Sequence, residues 1–121
     1  MTISSICLYG IPNCDTVKKS RQWFADQGLA VQFHDLKKQG LDADTLALWA
    51  KELGVDVLLN RKGTTWRKLS EEQQALASSS AGAQELMLAH TSLIKRPVVV
   101  LEREGQAAQW SVGFVPDQWQ A

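Results

Sequence analysis

The first third of the chain alternates between a short apolar run, a segment with helical periodicity and a second apolar run. Residues 3–9 are largely apolar and stop at Gly10, which is typical of a short strand followed by a loop. In residues 15–27 the apolar positions have helical spacing, and Gly28 is a natural C-terminal stop for that helix. In residues 30–35 apolar and polar residues alternate, as they do in a strand. The predicted helix face consists of Val17, Ser20, Arg21 and Phe24. The pattern predicts a parallel strand–helix–strand unit.

A second helix is predicted in the stretch that precedes Gly54. Its apolar positions follow the i, i+3, i+4, i+7 spacing of a helix with one buried face, and they are Leu46, Trp49, Ala50 and Leu53. Residues 55–69 combine basic and small residues without a clear period, so we expect an irregular segment there.

Further helical structure is predicted between Ser70 and Pro97. Ser70 and Gln73 have the spacing of a capping box at a helix N-terminus. The small residues 78–82 predict a break, after which residues 83–93 resume the helical pattern with Leu86, His90 and Leu93 roughly aligned.

The last part of the chain has the pattern of a β-hairpin. Residues 98–103 form an apolar run, residues 104–106 a turn, and residues 109–114 a second run. The alternating residues of this second run are Trp110, Val112 and Phe114. The two strands must be antiparallel, and the tail is long enough for one further helical turn.

These elements together predict an α/β fold. A parallel unit joined to a hairpin gives a mixed four-stranded sheet with helices packed on it, and this arrangement is thioredoxin-like. We expect a single domain over residues 1–121, whose thioredoxin-like core covers about 1–36 and 94–121. An all-helical insertion of about residues 37–93 separates the two halves of that core.

Composition and charge narrow the classes of function. The 121 residues carry 13 Lys and Arg against 13 Asp and Glu, so the net charge of zero argues against nonspecific binding of nucleic acid. No apolar run is long enough to cross a membrane, and the N-terminus lacks the pattern of a signal peptide. Two cysteines are too few for a disulfide scaffold. We therefore expect a cytoplasmic protein with reduced thiols.

Cys14 lies between a proline-bearing turn and the start of the first helix. Unpaired N–H groups and the helix dipole stabilise a thiolate at such a place, and Lys18 adds a cation one turn further on. Cys7 lies inside the first strand, where we expect it to be buried in the core. Val17 stands where a C-x-x-C pair would have its second cysteine, so Cys14 has no evident resolving partner in the chain.

Three motifs in this order resemble the ArsC-like superfamily, which includes arsenate reductases and Spx-type regulators. They are "YGIPNC" after the first strand, "NRKGTTWRKL" near the middle and "LIKRPVVV" before the hairpin. The match is closest to the YffB-like branch, whose members carry a single reactive cysteine. The resemblance runs from about Ile3 to about Trp119 and implies a thioredoxin-like sheet with a helical insertion.

The resemblance also implies roles for individual residues. Cys14 stands where the family has its nucleophile, while Arg61 and Arg96 stand where arsenate reductases place two anion-binding arginines. Pro97 matches the family's cis-proline, and a cis bond before proline has a low free-energy cost.

The chain departs from the arsenate reductases at three positions. Gly10 replaces a histidine four residues before the cysteine, Val17 replaces a serine three residues after it, and no arginine stands near Gly113. The resemblance therefore implies a glutathione-dependent thiol–disulfide reductase acting on a small-molecule thiol or disulfide, without a metal. Cys14 would be its catalytic residue, and the residues that bind the substrate or glutathione would be Arg61, Arg96, Pro97 and Lys18.

Two alternatives remain open at this stage. One is arsenate reduction, and the other is a Spx-like regulator whose partner would be RNA polymerase. The missing C-x-x-C switch argues against redox-controlled regulation of the Spx type.

Overall fold

The computed structural model describes residues 2–120, which fall into two compact units. Residues 2–39 and 96–120 form the first unit. Gly40–Lys95 form the second. None of the helices within residues 2–120 combines the length and apolar character that crossing a bilayer requires.

The first unit is built on a four-stranded sheet. Its strands are β1 (Ile3–Gly10), β2 (Gln32–Asp35), β3 (Val98–Arg103) and β4 (Gln109–Val112). They lie in the order β2-β1-β3-β4; β1 pairs in parallel with β2 and antiparallel with β3, and β3 pairs antiparallel with β4. The predicted mixed sheet is thereby confirmed, with the first strand at its centre next to the hairpin.

Helix α1 (Asp15–Asp26) connects the two parallel strands. Its buried positions are Val17, Ser20 and Phe24, as the spacing predicts. Arg21, which the pattern placed on the same face, is exposed instead, and its guanidinium lies 4.2 Å from the centre of the Phe33 ring. A buried charge without a partner is costly, and stacking on an aromatic ring keeps the guanidinium in contact with solvent.

A hydrophobic core fills the space between the sheet and this helix. It contains Ile6, Leu8, Val17, Phe24, Val99, Leu101 and Trp119. Trp119 belongs to a terminal turn, α8 (Pro116–Trp119), and its ring centre lies 4.6 Å from that of Phe24. Its indole N–H donates a hydrogen bond to the Ser111 hydroxyl at 2.9 Å, so both polar groups are satisfied although they are buried. This packing fixes α1, and therefore the residue at its start, against the sheet.

Cys7 is the exception to the predicted burial in β1. Side chains alternate along a strand, so Cys7 points away from the core that contains Ile6 and Leu8. It pairs with Gln32 and Val100 on the neighbouring strands and is half-buried. The expectation of a fully buried Cys7 was wrong because the local pattern did not show that only one face of this strand packs against α1.

The last strand is shorter than its sequence suggests. β4 ends at Val112, whereas the alternating pattern extended to Phe114. Gly113 has a φ of 85° and therefore turns the chain out of the strand. Its N–H still donates to the carbonyl of Pro97 at 2.8 Å, and Phe114 packs against the core from beyond the strand.

The second unit is helical. Its helices are α3 (Ala43–Leu53), α4 (Val55–Leu58), α5 (Thr64–Arg67), α6 (Glu71–Leu76) and α7 (Ser80–Ala89), followed by a 3₁₀ turn at Thr91–Leu93; the first unit also contains the short α2 (Leu36–Gln39). The predicted capping box is confirmed, because the Ser70 hydroxyl accepts from the Gln73 N–H and the Gln73 side chain accepts from the Ser70 N–H.

Two predictions for the second unit need correction. The segment 55–69 contains the short helices α4 and α5 rather than being irregular throughout. The later helix begins at Ser80, not at residue 83, because the Ser79 hydroxyl caps it by accepting a hydrogen bond from the Gly82 N–H at 3.1 Å. Because α6 ends at Leu76 and α7 begins at Ser80, the break covers fewer residues than predicted. Helix α7 ends at Ala89 rather than at residue 93, and the 3₁₀ turn at Thr91–Leu93 follows it.

Candidate functional site

Cys14 is the N-cap residue of α1. Its backbone is extended, with φ −138° and ψ 122°, and its carbonyl accepts the first helical hydrogen bond from the Lys18 N–H at 2.9 Å. The thiol itself makes no capping hydrogen bond, and the side chain is half-buried beside the core. The sulfur therefore lies at the open end of the helix, where the first-turn N–H groups have no partners within the helix.

Gly10 and Val17 make a close contact next to this cysteine. Val17 is fully buried in the first turn of α1, and Gly10 is the last residue of β1. A Cβ atom at position 10 would lie only 2.6 Å from Cγ2 of Val17, which is shorter than any normal contact between carbon atoms. Glycine at position 10 thus allows the start of α1 to approach the end of the strand.

Arg96 and Pro97 come directly before β3, at the end of the sheet where β1 leads to Cys14. The peptide bond between them is cis, as the resemblance to the ArsC-like superfamily implies for Pro97. Since Tyr9 pairs with Val98, Pro97 comes at the end of β1 that leads to Cys14. Arg96 is half-buried, and its Nε atom is shielded from solvent. A basic side chain and a buried proline therefore lie at the end of the sheet where the loop between β1 and Cys14 begins.

Lys18 is exposed one helical turn after Cys14. Residues four and seven positions along a helix share a face, so Cys14, Lys18 and Arg21 form one stripe. The sequence pattern pointed to Lys18 as a site residue but not to Arg21, which it placed on the same helix face as Val17 and Phe24. The i, i+4, i+7 spacing from Cys14 was the signal that would have identified it.

Arg61 belongs to the second unit, in the segment between α4 and α5. Its guanidinium forms an ion pair with Asp56 at 3.2 Å and lies 5.7 Å from the centre of the Trp66 ring. Both charged side chains are exposed, with 41% and 85% of their surface accessible. An exposed pair of this kind contributes little to stability, so Arg61 is not locked in a structural role.

Both cysteines are free thiols. Among residues 2–120, no cluster of three or more His, Cys, Asp or Glu side chains is arranged to hold a metal ion. The site itself offers one half-buried thiol at a helix start, with Lys18 and Arg21 on the same helix and Arg96 beside the end of the sheet.

A family model described as "ArsC family" matches residues 9–121. Among solved structures, the chain is similar to a protein named YffB, with 47% identity over 95% of this chain and 96% of the other and a TM-score of 0.84. It is also similar to an arsenate reductase (ArsC) related protein from Brucella melitensis, with 50% identity over 96% of this chain and 92% of the other and a TM-score of 0.71. These neighbours share the thioredoxin-like fold of the ArsC family.

Curated relatives give two further similarities. An uncharacterized protein of Haemophilus influenzae is 38% identical over 96% of each chain. The global transcriptional regulator Spx of Listeria innocua is 24% identical over 93% of this chain and 82% of its own. The chain is thus similar both to an arsenate reductase related protein and to a transcriptional regulator, and the choice between such functions depends on the residues of the site.

Proposed function

The chain belongs to the ArsC family, and on that premise we propose that it is a glutathione-dependent thiol–disulfide reductase with Cys14 as its nucleophile. The observation that carries the proposal is the position of Cys14 at the N-cap of α1, with a thiol that is not used in capping. First-turn N–H groups and the helix dipole favour the thiolate there, which is the reactive form in disulfide exchange.

The reaction balances with glutathione as the only reductant. The Cys14 thiolate attacks the glutathionyl sulfur of a mixed disulfide, the old S–S bond breaks, and the substrate leaves as a thiolate that takes up a proton. A second glutathione thiolate then attacks the Cys14–glutathione disulfide and releases oxidised glutathione. Cys14 returns to its starting state, so no second cysteine in the chain is required.

The basic residues have separate roles in this proposal. Arg96 and Arg61 bind glutathione carboxylates, for which the guanidinium fork is suited. Pro97 provides the backbone against which the glutathione peptide lies, and Lys18 favours anionic substrates near Cys14. The proposal implies a compartment in which glutathione keeps thiols reduced, namely the cytoplasm.

Arsenate reduction is the second candidate, favoured by the 50% identity with the arsenate reductase related protein from Brucella melitensis. Arsenate and a thiolate are both negative, so their reaction needs several converging donors or cations. Gly10 and Val17 offer no polar side chain near Cys14, and the contact between them leaves no room for one at position 10. This contact makes disulfide reduction the better supported function.

A coupled assay tests the proposal. Oxidised glutathione formed from a small mixed disulfide is measured with glutathione reductase and NADPH for the natural chain, Cys14→Ser and the control Cys7→Ser. We expect turnover in the natural chain and in Cys7→Ser and none above background in Cys14→Ser. Absence of turnover in the natural chain, or stoichiometric copurification with RNA polymerase without turnover, would instead support the regulator alternative.

A further inference from the structure

A surface groove of about 400 Å³ runs along the outer face of α1. It is lined by Lys18, Arg21, Gln22 and Ala25. All four lie on the stripe of the helix that begins at Cys14, at offsets of four, seven, eight and eleven residues. The groove therefore begins about one helical turn beyond the candidate nucleophile and extends along the helix axis.

The groove is positively charged. Neither Lys18 nor Arg21 forms an ion pair with any carboxylate within the described residues 2–120. Arg21 is held over the Phe33 ring, so its guanidinium is oriented at little further cost in side-chain entropy. Asp15 and Asp26 are on the same helix but do not line the groove, and Asp26 accepts a hydrogen bond from Gln22 at 2.8 Å.

We propose that this groove binds an acidic segment of a peptide or protein substrate, so that the reductase prefers glutathionylated cysteines with acidic neighbours. The proposal rests on the proposed function and deepens it by naming the substrate class. Charge complementarity favours an acidic occupant. The two cations that line the groove are exposed to solvent, and the other two lining residues, Gln22 and Ala25, are uncharged. In the exchange step the substrate thiolate leaves while Cys14 takes the glutathionyl group.

The geometry sets the spacing of the acidic residues. At the helical rise, Lys18 lies about 6 Å and Arg21 about 10 Å along the axis from Cys14. An extended peptide covers about 3.3 Å per residue. Carboxylates two and three residues from the reactive cysteine therefore come level with the two cations.

The test uses glutathionylated peptides with Asp or Asn at the second and third positions from the cysteine, placed on either side of it. We measure KM and kcat with the natural chain and with Lys18→Gln, Arg21→Gln and the double variant. Lys19→Gln is the matched control, since Lys19 is a neighbouring cation on α1 whose ammonium lies over the Phe114 ring at 4.9 Å and does not line the groove.

We expect the Asp peptide to have a lower KM than the Asn peptide in at least one of the two placements. Each groove variant should reduce this preference about two- to fivefold, as for exposed ion pairs, and the double variant should reduce it on the order of tenfold. The effect should disappear at about 1 M salt, where charges are screened within 3 Å. Equal KM values for the two peptides, or an equal loss in Lys19→Gln, would overturn the groove proposal while leaving the reductase proposal in place.

A second measurement does not depend on turnover. The rate at which Cys14 reacts with the dianionic 5,5′-dithiobis(2-nitrobenzoate) is compared with the rate for the neutral 2,2′-dithiodipyridine. We expect the anionic probe to slow more than the neutral probe in Lys18→Gln and Arg21→Gln, so that the ratio of the anionic to the neutral rate falls; loss of the Lys18 charge beside the thiolate slows both probes and cancels in this ratio. If the variants do not change the ratio of the anionic-probe rate to the neutral-probe rate, the groove does not attract anions to Cys14. If the ratio changes but no peptide is reduced, the groove stands and the proposed reductase function fails.

Discussion

Gly10 and Val17 are in contact with each other, because a Cβ atom at position 10 would lie 2.6 Å from Cγ2 of Val17. These are two of the positions at which the chain departs from the arsenate reductases that it resembles. The departures are therefore physically coupled: valine at 17 fills the space that a side chain at 10 would occupy.

The coupling predicts a non-additive effect on stability. Gly10→Ala should lower the free energy of unfolding by about 1–3 kcal/mol through overpacking. Val17→Ala should lower it by about 2 kcal/mol through the cavity left in the core. The double variant should lose less than the sum of these values, with a coupling of about 0.5–3 kcal/mol. Urea unfolding of the four proteins measures this, and strict additivity would show that the strand end moves freely away from α1.

Arsenate should be a poor substrate. In the coupled glutathione assay we expect turnover of a mixed disulfide and negligible turnover of arsenate at equal enzyme concentration. Gly10→His alone should be poorly folded, whereas Gly10→His with Val17→Ser should fold better because the smaller serine relieves the overlap with position 10. Faster turnover of arsenate than of the disulfide by the natural chain would reverse the order of the two candidate functions.

The two cysteines should differ in reactivity. We expect iodoacetamide to label Cys14 first in the native state, because its thiol lies at the helix start, while Cys7 is held between two neighbouring strands. Peptide mapping after a short pulse identifies the labelled residue, and unfolding in urea should remove the difference. Preferential labelling of Cys7 in the folded protein would identify Cys7, on the other face of the sheet, as the reactive thiol.

Arg96 should act on glutathione affinity. Arg96→Lys keeps the charge but loses the bidentate fork, so we expect KM for glutathione to rise about tenfold with kcat nearly unchanged. Because the side chain is half-buried, thermal unfolding of the variant is measured in parallel to separate binding from folding. An unchanged KM in a folded Arg96→Lys protein would limit Arg96 to a structural role.

Arg61 and its ion-pair partner Asp56 give a paired test. If Arg61 binds a carboxylate of glutathione, Asp56 competes for the same guanidinium. We therefore expect Arg61→Gln to raise KM for glutathione and Asp56→Asn to lower it. Neither change should alter stability by more than about 1 kcal/mol, since the pair is exposed. The same direction of change in both variants would exclude direct binding by Arg61.

The chain's local patterns determined the order of the elements and the place of Cys14, the candidate nucleophile. Helix α1 starts at Asp15 as expected, so that Cys14 is its N-cap residue. Gly54 ends α3, and the capping box of Ser70 and Gln73 begins α6. These features depend on periodicity, capping and turn residues within a few positions of one another, and a sequence records such relationships directly.

Other features were decided only by the tertiary structure. The direction in which Cys7 faces, the stacking of Arg21 on Phe33 and the overlap between Gly10 and Val17 all depend on how α1 packs against the sheet. The register at Tyr9 and Val98 likewise brings Pro97 to the edge from which the Cys14 loop leaves. Residues nearly ninety positions apart meet there because strand pairing and core packing, rather than local propensity, set the distances between them.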